Sequence, residues 1–170
     1  LAMLVPGVSV PVDAVRFGRQ GFNIRGLEGN RVSIEVDGVP LKPEDMAAYR
    51  SRISAIFSQF HVFRQLYGLE NVDAAVAAAI FEKVGLKGIT DIADGAITRL
   101  DLSAGQKRRL ALAIALLENR DFLILDEFVA DQDPGQRAYF FKTLLPELKS
   151  QGKTILVSTH DMQWIQFCDR

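Results

Sequence analysis

Phe122-Leu123-Ile124-Leu125-Asp126-Glu127 decides how this chain is read. Four consecutive apolar residues are too few for a helix and do not alternate, so they predict a strand buried on both faces. Two carboxylates follow directly. The carboxyl ends of parallel strands border the ligand crevice of an open α/β sheet, which makes Asp126 and Glu127 candidates for chemistry. One carboxylate can hold magnesium through its water shell. Its neighbour can orient or deprotonate an attacking water. An isolated Asp-Glu pair reads first as a solvated turn; behind four apolar residues the two readings are even.

Outward from that strand the pattern alternates. Thr154–Ser158 and Ile53–Phe57 are further short apolar runs, read as buried strands. Asn71–Val84 is alanine-rich, with Asp73 near its start and Gly85 past its end, which predicts a helix. Leu102–Leu117 is a second helix, with Leu110, Ala113, Ile114 and Leu117 on one face. Gln136–Ser150 is a third, bent or ended by Pro146, and Asp161–Cys168 is a last one. A short helix opens at Pro43-Glu44-Asp45. Ser33–Gly38 alternates and ends in Asp-Gly, a strand followed by a turn. Residues 1–31 show no clean period and predict weak strands and loops. Strands alternating with helices give an α/β fold with a mostly parallel sheet.

The composition fits one such domain. The chain has 170 residues, 48% of them hydrophobic, enough for a core. Lys and Arg number 20 against 21 Asp and Glu, a formal charge of −1, which argues against a nucleic-acid binder working through a positive field. Cys168 is the single cysteine, so an internal disulfide and a four-cysteine zinc site are excluded. No apolar run reaches the roughly 18 residues of a membrane span. Leu1–Val10 lacks the basic leader and small-residue cleavage site of a signal peptide.

Two more stretches carry chemistry. In Leu102-Ser103-Ala104-Gly105-Gln106, followed by Lys107-Arg108-Arg109, Ser103 can cap the helix. Gly105 permits close approach of a backbone or an anion, and the helix N-terminus suits phosphate. Basic residues in a first turn oppose the helix dipole and ask for an explanation. In Ser158-Thr159-His160-Asp161, His160 falls on the same sheet edge as Glu127, where it can position water or a phosphoryl group. His61 has no evident partner and reads as structural or surface.

In order along the chain, Gln59 after a strand, Leu-Ser-Ala-Gly-Gln, Phe-Leu-Ile-Leu-Asp-Glu, Asp131-Gln132-Asp133-Pro134 and Ser-Thr-His-Asp resemble the nucleotide-binding domain of ATP-binding-cassette (ABC) proteins over about residues 32–170. Phe57-Ser58-Gln59-Phe60-His61-Val62-Phe63, Ala130-Asp131-Gln132-Asp133-Pro134 and Leu144-Leu145-Pro146-Glu147-Leu148 are similar to the subgroup that exports cyclic peptides and siderophores. The resemblance implies a P-loop NTPase-like sheet with a helical signature-motif subdomain at about 64–118 in a single domain over 1–170. Its ligands would be ATP and Mg2+. Gln59 would be the Q-loop glutamine touching magnesium. Ser103, Gly105 and Gln106 would lie in the signature motif that contacts nucleotide on the opposite subunit. Asp126 would be the Walker B aspartate for magnesium, Glu127 the general base, Asp133 the end of the D-loop at the dimer interface, and His160 the H-loop histidine. The implied partners are a second nucleotide-binding domain, in a homodimer, and an exporter's transmembrane domain. The implied location is the cytoplasmic face of the inner membrane. The resemblance also implies a membrane domain fused upstream of residue 1 and a domain running somewhat past Arg170. A DNA-repair ATPase would need a coiled-coil insertion between Gln59 and the signature motif, where only residues 60–101 stand.

One part of the pattern is missing. No Gly-x-x-x-x-Gly-Lys-Ser/Thr loop precedes Gln59; the family spacing points to Pro11–Arg16, which has no glycine-rich cradle. Three readings stay open: a truncated or frame-shifted segment upstream of Ser33, a degenerate subunit that lends Ser103 and Gly105 to a competent partner, and an unusual phosphate loop near Gly18–Gly29. Without the main phosphate contacts, the chain alone is expected to bind ATP weakly and hydrolyse it at background.

Overall fold

The computed structural model describes residues 44–169 and Lys42, together with the backbone of five two-residue strands before them. These strands are β1 (Val8–Ser9), β2 (Asn23–Ile24), β3 (Leu27–Glu28), β4 (Glu35–Val36) and β5 (Val39–Pro40). β1, β2 and β3 pair antiparallel in that order, and β4 pairs antiparallel with β5. The weak strands expected in residues 1–31 are therefore found. Residues 11–16, most of the Gly18–Gly29 stretch and the Asp37-Gly38 turn lie outside the described residues. The chain divides into two compact units, Leu1–Ala48 and Tyr49–Arg170. At the junction α1 (Met46–Arg50) begins after a turn at Glu44–Asp45, later than the sequence suggested.

The second unit is built on three parallel strands. β6 (Ile53–Ile56) and β10 (Thr154–Ser158) flank β9 (Phe122–Asp126), giving the order β10-β9-β6. In register, Ile56 lies opposite Leu125 and Ser158 opposite Asp126, so all three carboxyl ends reach one edge. The α/β class and the parallel sheet expected from the sequence are thus present. Double-sided burial is not. Leu123 and Leu125 are buried, whereas Phe122 and, on β10, Leu156 are more than a third exposed. The physical reason is that Leu123 and Leu125 point to the side of the sheet where the core cluster lies, with Ile56, Leu116, Leu145 and Leu148, while Phe122 points to the other.

Between β6 and β9 stand two helices and a hairpin. α2 (Ala74–Lys83) starts where the Asp73 carboxylate accepts from the N–H groups of Ala75 and Val76, at 2.7 and 3.2 Å. It stops before Gly85, whose φ of +70° suits a residue without a side chain. β7 (Ile92–Ala93) and β8 (Ala96–Ile97) form an antiparallel hairpin across Asp94-Gly95, both in the left-handed region. α3 (Ala104–Leu117) buries Leu110, Leu112, Ala113 and Leu116 against β6 and α2.

After β9 one helical run covers Pro134–Ser150 in three parts: α4 (Pro134–Tyr139), a π-helical turn (Phe140–Leu144) and α5 (Leu145–Ser150). The run neither ends nor breaks at Pro146. Its wide turn, in which the Leu145 N–H reaches back to the Phe140 carbonyl, lies just before the proline and accommodates the lost N–H and the bulky ring. Phe140, Phe141, Leu144, Leu145 and Leu148 fill the core. The segment after His160 is a 3₁₀ turn (Met162–Phe167), tighter than the α-helix expected, anchored by Trp164 stacked on Phe141 at 5.0 Å.

Candidate functional site

The strand ends converge as their register requires. The Ser158 hydroxyl donates to Asp126 Oδ1 at 2.6 Å and accepts from the Glu127 N–H at 2.9 Å. From the other side of β9, the Ser58 N–H donates to Asp126 Oδ2 at 3.2 Å. The Ser158 hydrogen bond, then the Ser58 contacts and the nearby Arg108 charge, hold the Asp126 carboxyl below the usual carboxylate range; partial burial opposes them. Glu127 adopts φ +50°, a left-handed conformation uncommon for a residue with a side chain. Its Oε1 lies 2.7 Å from His160 Nε2, and the imidazole is 90% exposed. Gln59 is exposed in the loop after β6, one residue past Ser58. Asp126, Glu127, His160 and the Gln59 loop therefore share one edge.

Ser103, Gly105 and Gln106 form a second cluster. Ser103 and Gln106 make a reciprocal capping box: the Ser103 N–H donates to Gln106 Oε1 at 2.9 Å, and the Gln106 N–H to Ser103 Oγ at 3.3 Å. A Cβ on Gly105 would stand 2.5 Å from the Asp131 carbonyl oxygen, so glycine is needed for a backbone of the same chain. Gln132, itself buried, donates from Nε2 to the Gly105 carbonyl at 3.0 Å. Asp133 caps α4, accepting from the Gln136 N–H at 2.9 Å.

Arg108 joins the two clusters. Its Nε donates to Asp131 at 2.6 Å and its Nη2 to the Ser58 carbonyl at 3.3 Å, and the guanidinium lies over Phe60. Arg109 donates to the carbonyls of Val84 and Gly85 at the end of α2. The basic start of α3 thus has internal partners for two of its three cations. Lys107 alone is exposed, in a groove of about 560 Å³ that Gln59 and Phe63 also line. His61 is exposed and packs edge-on against the exposed Phe63.

Sequence reasoning missed Ser158 as a partner of Asp126, because the β9–β10 register is not legible in either strand alone. It also missed Arg108, whose one visible signal was its place in an unfavourable first turn.

The oxygens the structure brings together here are the Asp126 carboxylate and the Ser158 hydroxyl, and Gln59 follows directly after Ser58, whose N–H reaches Asp126. Among the described residues no group of three or more His, Cys, Asp or Glu side chains can hold a metal. That set does not suit zinc. It fits magnesium, which keeps much of its water and takes one or two carboxylates plus phosphate.

Known proteins are similar to this chain in sequence and in fold. The ABC transporter family matches residues 24–130. The ATP-binding protein SyrD of Pseudomonas syringae pv. syringae is 42% identical over 139 residues, 79% of this chain and 25% of that protein. The macrolide export ATP-binding/permease protein MacB of Bartonella henselae is 32% identical, over 94% of this chain and 24% of its own. The chain thus spans about a quarter of the length of both. Among solved structures, cbiO1 of Clostridium perfringens, part of the ABC transporter complex cbiONQ, superposes with a TM-score of 0.59 at 25% identity, covering 78% of this chain and 58% of that one. No helix among the described residues is long and apolar enough to cross a membrane. With the family matched over most of its length and the parallel sheet in place, the chain belongs to the ABC transporter family as an ATP-binding domain.

Proposed function

We propose that this chain binds and hydrolyses ATP to drive an ABC exporter, with a cyclic peptide or siderophore-like compound as cargo. The observation that carries the reading is the Glu127–His160 pair at 2.7 Å beside the ionised Asp126. Export is supported by relatives named for it, MacB and the Nod factor export ATP-binding protein I of Burkholderia orbicola. The cargo class rests on Phe57–Phe63 and Ala130–Pro134. On this reading the partners are a second copy of the domain and a transmembrane domain, at the cytoplasmic face of the inner membrane.

Each residue then has a task. Asp126 and Gln59 would hold magnesium, which when bound would neutralise phosphate charge. Ser158 and Ser58 keep the Asp126 carboxylate ionised and aimed. His160 fixes Glu127 through Oε1, leaving Oε2 to take a proton from water. Ser103, Gly105 and Gln106 face nucleotide held by the partner, with Lys107 adding charge, and Asp133 lies at the interface. The test is ATPase turnover after assembly with an intact second domain and the membrane domain. Saturable hydrolysis lost in Glu127→Gln supports the reading; turnover indifferent to both Glu127 and Ser103 overturns it.

A second reading has its own observation: the sequence lacks Gly-x-x-x-x-Gly-Lys-Ser/Thr. A chain without that loop can still serve as a non-catalytic partner that lends Ser103 and Gly105 across a dimer. Stimulation of an intact partner that needs Ser103 but tolerates Glu127→Gln would favour it.

A further inference from the structure

Arg137 is a residue to which neither the motifs nor the capping pattern assigns a task. It projects from α4 with its side chain about a third exposed and reaches two segments. Its Nε donates to the Gln132 carbonyl at 2.9 Å, and its Nη2 to the Ala130 carbonyl at 3.0 Å. Its Nη1 stands 3.7 Å from Asp161 Oδ2, on the residue next to His160. Asp161 Oδ2 also accepts from Trp164 Nε1 at 2.9 Å and from Gln163 at 2.8 Å. A planar guanidinium presents fixed, divergent donors, so one side chain can hold two loop carbonyls and a carboxylate together.

The loop that Arg137 grips is itself pressed by α3. Asp131 presents its carbonyl to Gly105 with no room for a Cβ, and Gln132 bonds the Gly105 carbonyl. Gly105, the loop 130–132, Arg137 and Asp161 therefore form one continuous chain of contacts. It runs from the start of α3 to the segment bearing His160. We propose that Arg137 is a positioning residue that transmits displacement of the loop 130–132 to Asp161, and so to the His160–Glu127 pair. Its functional meaning rests on the reading above, in which Asp133, next to this loop, lies at the interface with a partner. The mechanical link itself requires neither nucleotide nor partner.

Trp164 is the only tryptophan and sits at the far end of the chain of contacts, 9% exposed. Its emission and acrylamide quenching therefore report on Asp161 in the full chain without a label. Gly105→Ala supplies a steric push on the Asp131 carbonyl. The expected result is a red shift and raised quenching of Trp164 in Gly105→Ala, and loss of that response when Arg137→Gln is added. Equal responses with and without Arg137 would overturn the proposal, as would a Gly105→Ala chain whose Trp164 does not respond. Cooperative urea unfolding checks that each variant is folded. If Arg137→Gln is not, Arg137→Lys replaces it: a single ammonium cannot hold both carbonyls and Asp161, so the response is again lost. Since no ATP is added, failure here leaves the hydrolysis reading standing, and failure of hydrolysis leaves this link standing.

Discussion

Nε2 of His160 and Oε1 of Glu127 lie 2.7 Å apart, although the two residues are 33 positions apart in the chain. The parallel pairing of β9 and β10 brings their strand ends level, and the left-handed backbone at Glu127 turns its side chain to the histidine. Once the domain is assembled with an intact partner, Glu127→Gln should lower phosphate release by on the order of 10²–10⁴, the range for loss of a general base. Nucleotide binding should persist, measured by equilibrium binding of labelled ATP.

Ser158→Ala removes the shortest hydrogen bond to Asp126 and the acceptor for the Glu127 N–H. Loss of these part-buried bonds should cost about 1–2 kcal/mol at neutral pH. The Asp126 carboxyl is held below its ordinary range, so its contribution to stability is full above the unfolded pKa and is lost as pH falls through the folded one. Urea midpoints measured down through the acid range should therefore fall less steeply in Ser158→Ala than in the parent chain.

The Arg108–Asp131 pair should respond asymmetrically. Arg108's side chain is 9% exposed and its Nη1 already lacks a partner, whereas Asp131's is 44% exposed. Asp131→Ala strands a buried cation and should cost on the order of 3 kcal/mol. Arg108→Met leaves a carboxylate that water can reach and should cost less. Urea unfolding of both variants checks the order.

Gly105→Ala should destabilise by about 1–3 kcal/mol, the range for a side chain forced into filled space. The clash is with backbone, the Asp131 carbonyl, so no rotamer change relieves it. Gly152→Ala has open space and is strained only by its φ of +83°, so it should cost about 1–2 kcal/mol. Comparing the two denaturation curves separates crowding from backbone strain.

The central strand, α2 and α3 were readable because each signal is local. Phe122–Leu125 is an uninterrupted apolar run, and Asp73 and Ser103 stand at their helix starts as caps. The candidate site was readable as residue types at strand ends, which is why Asp126, Glu127 and His160 could be named from spacing. What ties them together was not. Ser158 reaches Asp126 through inter-strand register, and Arg137 reaches Asp161 across 24 positions, and neither leaves a periodic trace. The hairpin at Asp94-Gly95 had a legible turn signal, but its two-residue arms are too short to show alternation.

The wide turn at Phe140–Leu144 has a consequence for length variation. A π turn holds one residue more than an α turn, so one residue can be removed from it without changing the phase of the helix on either side. Deleting exposed Thr143 together with Pro146→Ala would restore uniform winding and keep Leu145 and Leu148 aimed inward. The same one-residue deletion inside Ala104–Leu117 would swing every later side chain by about 100° and empty the core.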